Sequence, residues 1–304
     1  MSLVRRGITR GGSPWTGTFL ANMWLAAAWS LVFLLRGEQA DWSLWGRATL
    51  IAFTFVAGQV FTYFAFQFGD VSVATPVFGV KVVIVAIVLA FLAGEQIGGH
   101  IWIGAVLAAA GVGCIQAGGS ADRRQARSSW RTFLTIVLAL LAACSLTLFD
   151  VGLQIWGQQQ GAQAFLPPMF ICTGALSLLL LPWVDRPARI RGTGAFPPIL
   201  MGTILMALQA ISMAWSLSNY GDAARINIVY ALRGLWAVIF AWLFTRLPGA
   251  DQQALSGRVL LLRMTGALLL TSSVAIALSN SGTQFSAPAI SNSPADESHA
   301  AVLP

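Results

Sequence analysis

The stretch Phe68–Gly94, FGDVSVATPVFGVKVVIVAIVLAFLAG, decides the fold of this chain. It opens on Gly-Asp and continues through about 20 apolar residues, the length of helix that crosses the hydrocarbon core of a bilayer. One charged side chain, Lys81, lies near the middle of the run. A lysine at the centre of a bilayer costs about 2.5–3.5 kcal/mol on insertion scales, and therefore usually faces a bundle interior or a polar cavity. The stretch predicts a membrane helix with one inward-facing cation.

The second half of the chain repeats this arrangement. The stretch Tyr220–Phe244, YGDAARINIVYALRGLWAVIFAWLF, also opens on Gly-Asp and has Arg233 near its centre. The two Gly-Asp pairs begin at positions 69 and 221, and the same offset of 152 places Lys81 opposite Arg233 and Gln67 opposite Asn219. We interpret the two stretches as copies of one membrane unit.

The composition indicates an all-α integral membrane protein. Of 304 residues, 57% are hydrophobic and 10% are charged, whereas a soluble domain has about 25% charged residues. The net charge of +7 comes from arginines in short loops between apolar runs, which favours membrane topology over nucleic-acid binding. The three cysteines lie in or beside apolar runs without a CxxC, and only two histidines are present. The sequence therefore predicts no metal site and no cofactor.

Nine apolar spans are visible, and they divide the chain. We expect a first repeat at residues 1–119, a basic loop at 120–131, a second repeat at 132–280 and a disordered tail at 281–304. The triplet Gln158–Gln160 is predicted to be a loop. The spans are Thr16–Leu35, Ala48–Phe68, Val71–Ala93, Ile101–Ala117, Thr132–Trp156, Ala164–Trp183, Ile199–Ser218, Ala223–Phe244 and Val259–Leu278.

The first repeat has four spans and the second has five. When the halves are aligned with a small gap relative to the offset of 152, Arg5–Gly7 lies opposite Asp150–Gly152, at the end of the fifth span. We therefore expect that the first repeat lacks its first helix, and that the complete protein has ten.

Short motifs in the first repeat carry a family resemblance. They are Gly69-Asp70, a proline near the start of the following helix (Pro76), Gly94-Glu95, and the glycine-rich last helix Gly104–Gly113. This order resembles the EamA-like family of the drug/metabolite transporter superfamily. In the second copy Ile228 and Leu247 replace the proline and the glutamate. The resemblance implies ten helices in two inverted five-helix repeats, and transport of amino acids, nucleobases, sugars or related metabolites.

Two arguments on orientation disagree. Alternate loops on one side hold thirteen arginines, and the other side holds only Arg36 and Arg47. The positive-inside rule then places the visible N-terminus in the cytoplasm. The family template, with ten helices and cytoplasmic ends, predicts the reverse. Both arguments describe a multi-pass protein of the cell (inner) membrane.

Lys81 and Arg233 are the first candidates for a substrate site. If both face a central cavity between the repeats, where transporter sites lie, they favour an anionic or carbonyl-rich substrate. Alternatively, each pairs with a buried carboxylate and only fixes packing. The nearest intramembrane acid is Asp150, which could balance one cation or relay protons and is our candidate coupling residue.

A second layer of polar residues lies on the same helices and on those before them. These residues are substrate contacts or, equally, hydrogen bonds between helices. They are Tyr63, Gln67, Thr75, Gln209, Asn219, Asn227 and Tyr230. Asp70 and Asp222 are predicted instead to cap the helices that they precede, with Arg225 as the local partner of Asp222.

These features predict a secondary carrier for a small solute, working by alternating access in the lipid bilayer, and not an enzyme. The sequence has no Walker motif and no GxGxxG followed by a helix, which argues against ATP drive within this chain. A non-transporting scaffold is the alternative. An intramembrane enzyme is less favoured, because it would need a cluster of His, Asp, Ser or Cys at one membrane face and the two histidines of this chain are scattered. A homodimer is possible.

Overall fold

The computed structural model describes residues 12–37, 42–68, 78–92, 97–117, 129–232 and 257–279. All regular structure within these ranges is helical. The helices are α1 (Pro14–Arg36), α2 (Trp42–Phe68), α3 (Lys81–Leu92), α4 (Gly99–Ala117), α5 (Ser129–Gln160), α6 (Ala162–Ser177), α7 (Pro187–Gly192), α8 (Phe196–Tyr220), α9 (Ala223–Ala231) and α10 (Gly257–Leu278). A 3₁₀ segment, Leu178–Trp183, continues α6.

Each of the nine predicted spans overlaps one of these helices. Five segments are long and apolar enough to cross a membrane within the ranges that the structure describes; they lie in α1, α2, α5, α8 and in α6 with its 3₁₀ extension. The apolar parts of α3, α4 and α10 are shorter. The helices of the described residues agree with the predicted all-α membrane protein. The number of spans stays a prediction.

One predicted boundary was wrong. The triplet Gln158–Gln160 is helical and forms the end of α5, because glutamine is a good helix former. The break comes one residue later, at Gly161, whose φ of 84° is a conformation that glycine adopts at little cost. The sixth span is helical throughout, but its end tightens into the 3₁₀ segment that contains Pro182, a residue without an N–H for the α-helical bond.

The helices pack around α5, which contacts α2, α3, α6 and α8. Helix α1 packs against α6 and α8, and α4 against α10. Phe165 and Phe170 of α6 and Leu153 of α5 are fully buried in the main core. At the α4–α10 crossing, a Cβ on Gly111 would lie 2.9 Å from the Gly266 carbonyl oxygen, so a larger side chain would separate these backbones.

This packing also brings α3, α5 and α9 into mutual contact. These three helices come from different parts of the sequence, and each contributes a polar side chain to the interior of the bundle. Their meeting point is the candidate functional site.

Candidate functional site

A buried ion pair joins α3 to α5. The Lys81 Nζ lies 2.7 Å from the Asp150 Oδ2, and the two side chains are 17% and 2% exposed. Desolvating two charges costs several kcal/mol for each ion, and a close pair with further hydrogen bonds recovers that cost. In the structure, the charge of Lys81 is therefore balanced by a buried carboxylate.

Helix α9 supplies the further hydrogen bond. The Asn227 amide nitrogen donates to the same Asp150 oxygen at 2.8 Å, and to the Ala223 carbonyl at 2.9 Å. Asn227 is 2% exposed. Asp150 thus accepts from an ammonium group and from a neutral amide, each on a different helix. We call these three residues, Lys81, Asp150 and Asn227, the charged cluster.

Gln154 forms a second contact between α5 and α9, one helical turn beyond Asp150. Its Oε1 accepts a hydrogen bond from the Ala223 backbone N–H at 2.7 Å, a donor that the first turn of a helix leaves without an intrahelical partner. Gln154 was missed in the sequence analysis. The signal that would have identified it is the spacing of four residues from Asp150, which places both side chains on one face of α5.

The start of α9 agrees with its prediction. The Asp222 carboxylate accepts from the Arg225 backbone N–H at 3.0 Å, and the Arg225 Nη1 lies 3.0 Å from the Asp222 Oδ2. This arrangement is a helix N-cap with a local ion pair. The charge of Arg225 is therefore balanced close to the helix end.

Gln209 and Tyr230 are brought together. The Gln209 amide nitrogen donates to the Tyr230 hydroxyl oxygen, which connects α8 to α9. Tyr230 lies three residues after Asn227, on the same face of α9. Asn219 donates at 2.9 Å to the Trp215 carbonyl of its own helix. Tyr230 thus lies beside the charged cluster in sequence and helix face, and Gln209, an exposed residue of α8, is connected to it through Tyr230.

Tyr63 and Gln67 lie in different surroundings. The Tyr63 ring packs on the Trp15 ring with a centroid separation of 3.9 Å. Gln67 lines a cavity of about 700 Å³ between α1, α2 and the end of α6. We call this cavity the lateral groove. Its lining residues are Trp15, Phe53, Val56, Ala57, Val60, Phe61, Phe64, Gln67, Leu176, Leu179, Leu180 and Trp183.

Two residues of the predicted site, Thr75 and Arg233, lie outside the described residues, and so does the predicted cap Asp70. The motif residues outside them are Gly69, Pro76, Gly94, Glu95 and Leu247. The predicted tail at 281–304 also lies outside them. The site described here therefore rests on the first of the two central cations.

A second buried polar group was missed in the sequence analysis. The Asn22 amide nitrogen donates at 2.8 Å to the Gln59 Oε1 and at 2.8 Å to the Ser177 Oγ, and its oxygen accepts from the Gln59 amide at 3.1 Å. Ser177 in turn donates to the Thr173 carbonyl at 2.7 Å. We call Asn22, Gln59 and Ser177 the neutral cluster. It joins α1, α2 and α6 without any charge.

Comparison with known proteins gives a family match for part of the chain. Residues 2–116 match the family model of the EamA-like transporter family. This confirms the resemblance that the Gly-Asp, proline and glycine motifs indicated. The matched segment includes Lys81, whereas Asp150 and Asn227 lie beyond it. No curated protein matches the chain.

Solved structures show the same fold. One of them, a crystal structure, superposes with a TM-score of 0.64 at 16% sequence identity, and the superposition covers 91% of each chain. At this identity the likeness concerns the fold alone. The family match and the apolar helices together indicate a multi-pass membrane protein, and the family is one of membrane transporters in the drug/metabolite superfamily.

Proposed function

We propose that the protein is a secondary carrier of a small metabolite in the cell (inner) membrane, and that it works by alternating access. The observation that carries the proposal is the charged cluster, in which three helices meet at one buried carboxylate. Intramembrane charges of this kind mark substrate paths and proton relays by default. The family match at residues 2–116 supports transport over a scaffold role.

Two repeats, at residues 1–119 and 132–280, account for the helix pairing. The offset between the halves relates α1 to α6 and α4 to α10, and each of these pairs is in contact. It also relates the predicted span Val71–Ala93 to the span Ala223–Phe244. The described parts of these two spans, α3 and α9, are in contact as well, although they are not equivalent segments. The contact of α2 with α6 is matched by that of α8 with α1. Such reciprocal pairing is what a pseudo-two-fold axis generates. The charged cluster then contains one residue from the first repeat and two from the second.

The ion pair refines the expected substrate. Because Asp150 balances Lys81 in the structure, an anionic group can take Lys81 only if the carboxylate gives it up. A proton on Asp150 would remove its negative charge, leave Asn227 as a neutral partner and free the ammonium group for a substrate carboxylate or carbonyl. Binding of an anion and of a proton would then be linked. Asp150 is therefore the proposed coupling residue, with Lys81 as the substrate contact.

The proposed site extends along α9 towards α8, through Asn227, Tyr230 and Gln209. Gln209 and Tyr230 hydrogen-bond each other, and Lys81 keeps 17% of its side chain exposed. A solute that reaches Lys81 would meet amide and phenol groups as well as a cation. This set suits small amino-acid-like or nucleobase-like metabolites.

A ligand screen followed by flux measurements tests the proposal. The purified protein is heated with a panel of amino acids, nucleobases and sugars, and any stabilising compound is then measured for uptake into proteoliposomes with and without a pH gradient. Wild-type uptake should respond to the gradient. Asp150→Asn should still exchange the compound but lose that response, because an amide cannot carry the proton.

Asp222→Asn is the matched control, since it replaces an acid that caps α9 and pairs locally with Arg225. It should keep the gradient response. A response retained by Asp150→Asn would remove Asp150 from the coupling role. Absence of a stabilising compound and of any flux would favour the scaffold alternative.

A further inference from the structure

The lateral groove has the shape and lining of a lipid site. It has a volume of about 700 Å³, within the range of about 300–1,000 Å³ usual for ligand pockets. Its wall follows α2 from Phe53 to Gln67, and the two ends of this stretch are about 21 Å apart at a rise of 1.5 Å per residue. One leaflet of hydrocarbon is about 15 Å thick. The groove is therefore long enough to take an acyl chain from the interface to the bilayer midplane.

The lining explains why the occupant should be apolar over most of its length. Gln67, at one end of the groove, is the one side-chain amide among the lining residues, and the other lining side chains are aliphatic or aromatic. Leu179 is 71% exposed on the groove wall. A polar solute would lose its hydration here without gaining hydrogen bonds, whereas an acyl chain would not.

The polar end of the groove is marked by two tryptophans. The Trp15 and Trp183 rings lie 5.9 Å apart, at the start of α1 and the end of the 3₁₀ segment. Tryptophan is enriched at the level of lipid headgroups, since its ring is apolar and its N–H is polar. We take this end of the groove as the membrane interface.

The loop beside these tryptophans is basic. Asp185 accepts hydrogen bonds from the Ser13 backbone N–H and from the Thr16 hydroxyl, so this acid is used at the start of α1. The next residue, Arg186, is exposed, and Arg191 of α7 lies over the Phe196 ring at 5.6 Å. Basic residues at the interface attract anionic headgroups, each by about 1 kcal/mol. The charge at this end therefore complements a phosphate diester.

We propose that the lateral groove binds an anionic phospholipid, with one acyl chain between α2 and the end of α6 and its phosphate beside Arg186. This site is separate from the charged cluster and does not depend on the proposed function. Zwitterionic lipid in the same groove, or bulk annular lipid alone, is the competing outcome.

Native mass spectrometry of the purified protein with added phosphatidylglycerol or phosphatidylcholine tests the headgroup. Wild type should retain phosphatidylglycerol about five-fold more than phosphatidylcholine, as one interfacial cation would produce. Arg186→Gln should remove most of this preference. Arg36→Gln, at the other end of α1, should leave it unchanged. Equal retention of the two lipids by wild type would overturn the proposal.

A second set of variants tests the groove itself. Val60→Trp fills the groove and should abolish retention of the bound phosphatidylglycerol, and Leu179→Gln should weaken it without added bulk. Leu205→Trp is the matched control, because Leu205 is a 51% exposed residue of α8 that does not line the groove. Full retention of lipid by both groove variants would sink the assignment. Free glycerophosphate should not compete, because it has no acyl chain.

Discussion

Two buried polar clusters of the same bundle differ in charge. The neutral cluster of Asn22, Gln59 and Ser177 is held by amide and hydroxyl hydrogen bonds between α1, α2 and α6. The charged cluster has an ammonium, a carboxylate and one amide between α3, α5 and α9. Both connect three helices, and both exclude most solvent.

The difference shows which cluster can change its state. A satisfied neutral network fixes the register of the helices and gains little from a new partner. A buried carboxylate can exchange an ammonium partner for a proton, and the ammonium can then take another anion. The comparison predicts that changes in the charged cluster alter both stability and transport, whereas changes in the neutral cluster alter stability alone.

The largest effect should come from Lys81→Met, which leaves the Asp150 carboxylate buried without its cation. Breaking a buried ion pair by removing one partner costs about 3–5 kcal/mol. Denaturant unfolding in detergent should show a loss of this size. The double variant Lys81→Met with Asp150→Leu should recover most of the stability, because both charges of this pair are removed together, yet it should not transport.

The single and double variants together show whether the Lys81–Asp150 pair is needed for transport or only for packing. Recovery of stability together with full transport in the double variant would mean that the ion pair is only a packing device. Failure of the double variant to recover stability would mean that Lys81 has contacts beyond Asp150.

Asn227→Leu should have the next largest effect. It removes the amide donor to the Asp150 carboxylate, and hydrogen bonds to charged groups contribute about 1.5–3 kcal/mol. The ion pair with Lys81 remains, so the protein should still fold. Denaturant unfolding in detergent should show a loss within this range, smaller than the loss in Lys81→Met. Unchanged stability would contradict the assigned contact.

Asn22→Leu should destabilise the protein by about 1–2 kcal/mol, since neutral hydrogen bonds contribute about 0.5–1.5 kcal/mol each and the leucine regains some packing. Gln59 is only half-buried and can find other partners. Transport measured on the folded fraction should stay at the wild-type level. Loss of transport at normal stability would assign the neutral cluster to the solute path and erase its contrast with the charged cluster.

The sequence predicted the charged cluster better than the neutral one for a physical reason. A charge inside an apolar run has few acceptable positions, so Lys81 and Asp150 could be identified as inward-facing without a structure. An amide such as Asn22 costs less in a membrane helix and has several possible partners. Only the packing of α1 against α2 and α6 shows that Gln59 and Ser177 are those partners.

The helix positions could be predicted from the lengths of the apolar runs. The end of α5 was predicted wrongly, because individual residues determine where a helix ends. Gln158–Gln160 continues α5 because the terminating residue is Gly161, and a run of polar residues does not by itself break a helix. The separation of Tyr63 from the charged cluster could not be foreseen either. Its packing on Trp15 depends on how α1 and α2 meet, which the pattern of either helix alone does not fix.

The smallest effect should come from Arg225→Gln, which provides an ion-pair control for Lys81. The Arg225 and Asp222 side chains lie 3.0 Å apart at spacing i,i+3, and Asp222 is 35% exposed. Local helix pairs of this kind contribute about 0.2–0.5 kcal/mol, and the carboxylate keeps its bond from the backbone N–H at position 225. Unfolding should therefore shift by less than about 1 kcal/mol, against several for Lys81→Met. If Arg225→Gln and Lys81→Met lose similar amounts of stability, burial of the carboxylate does not determine how much each ion pair contributes.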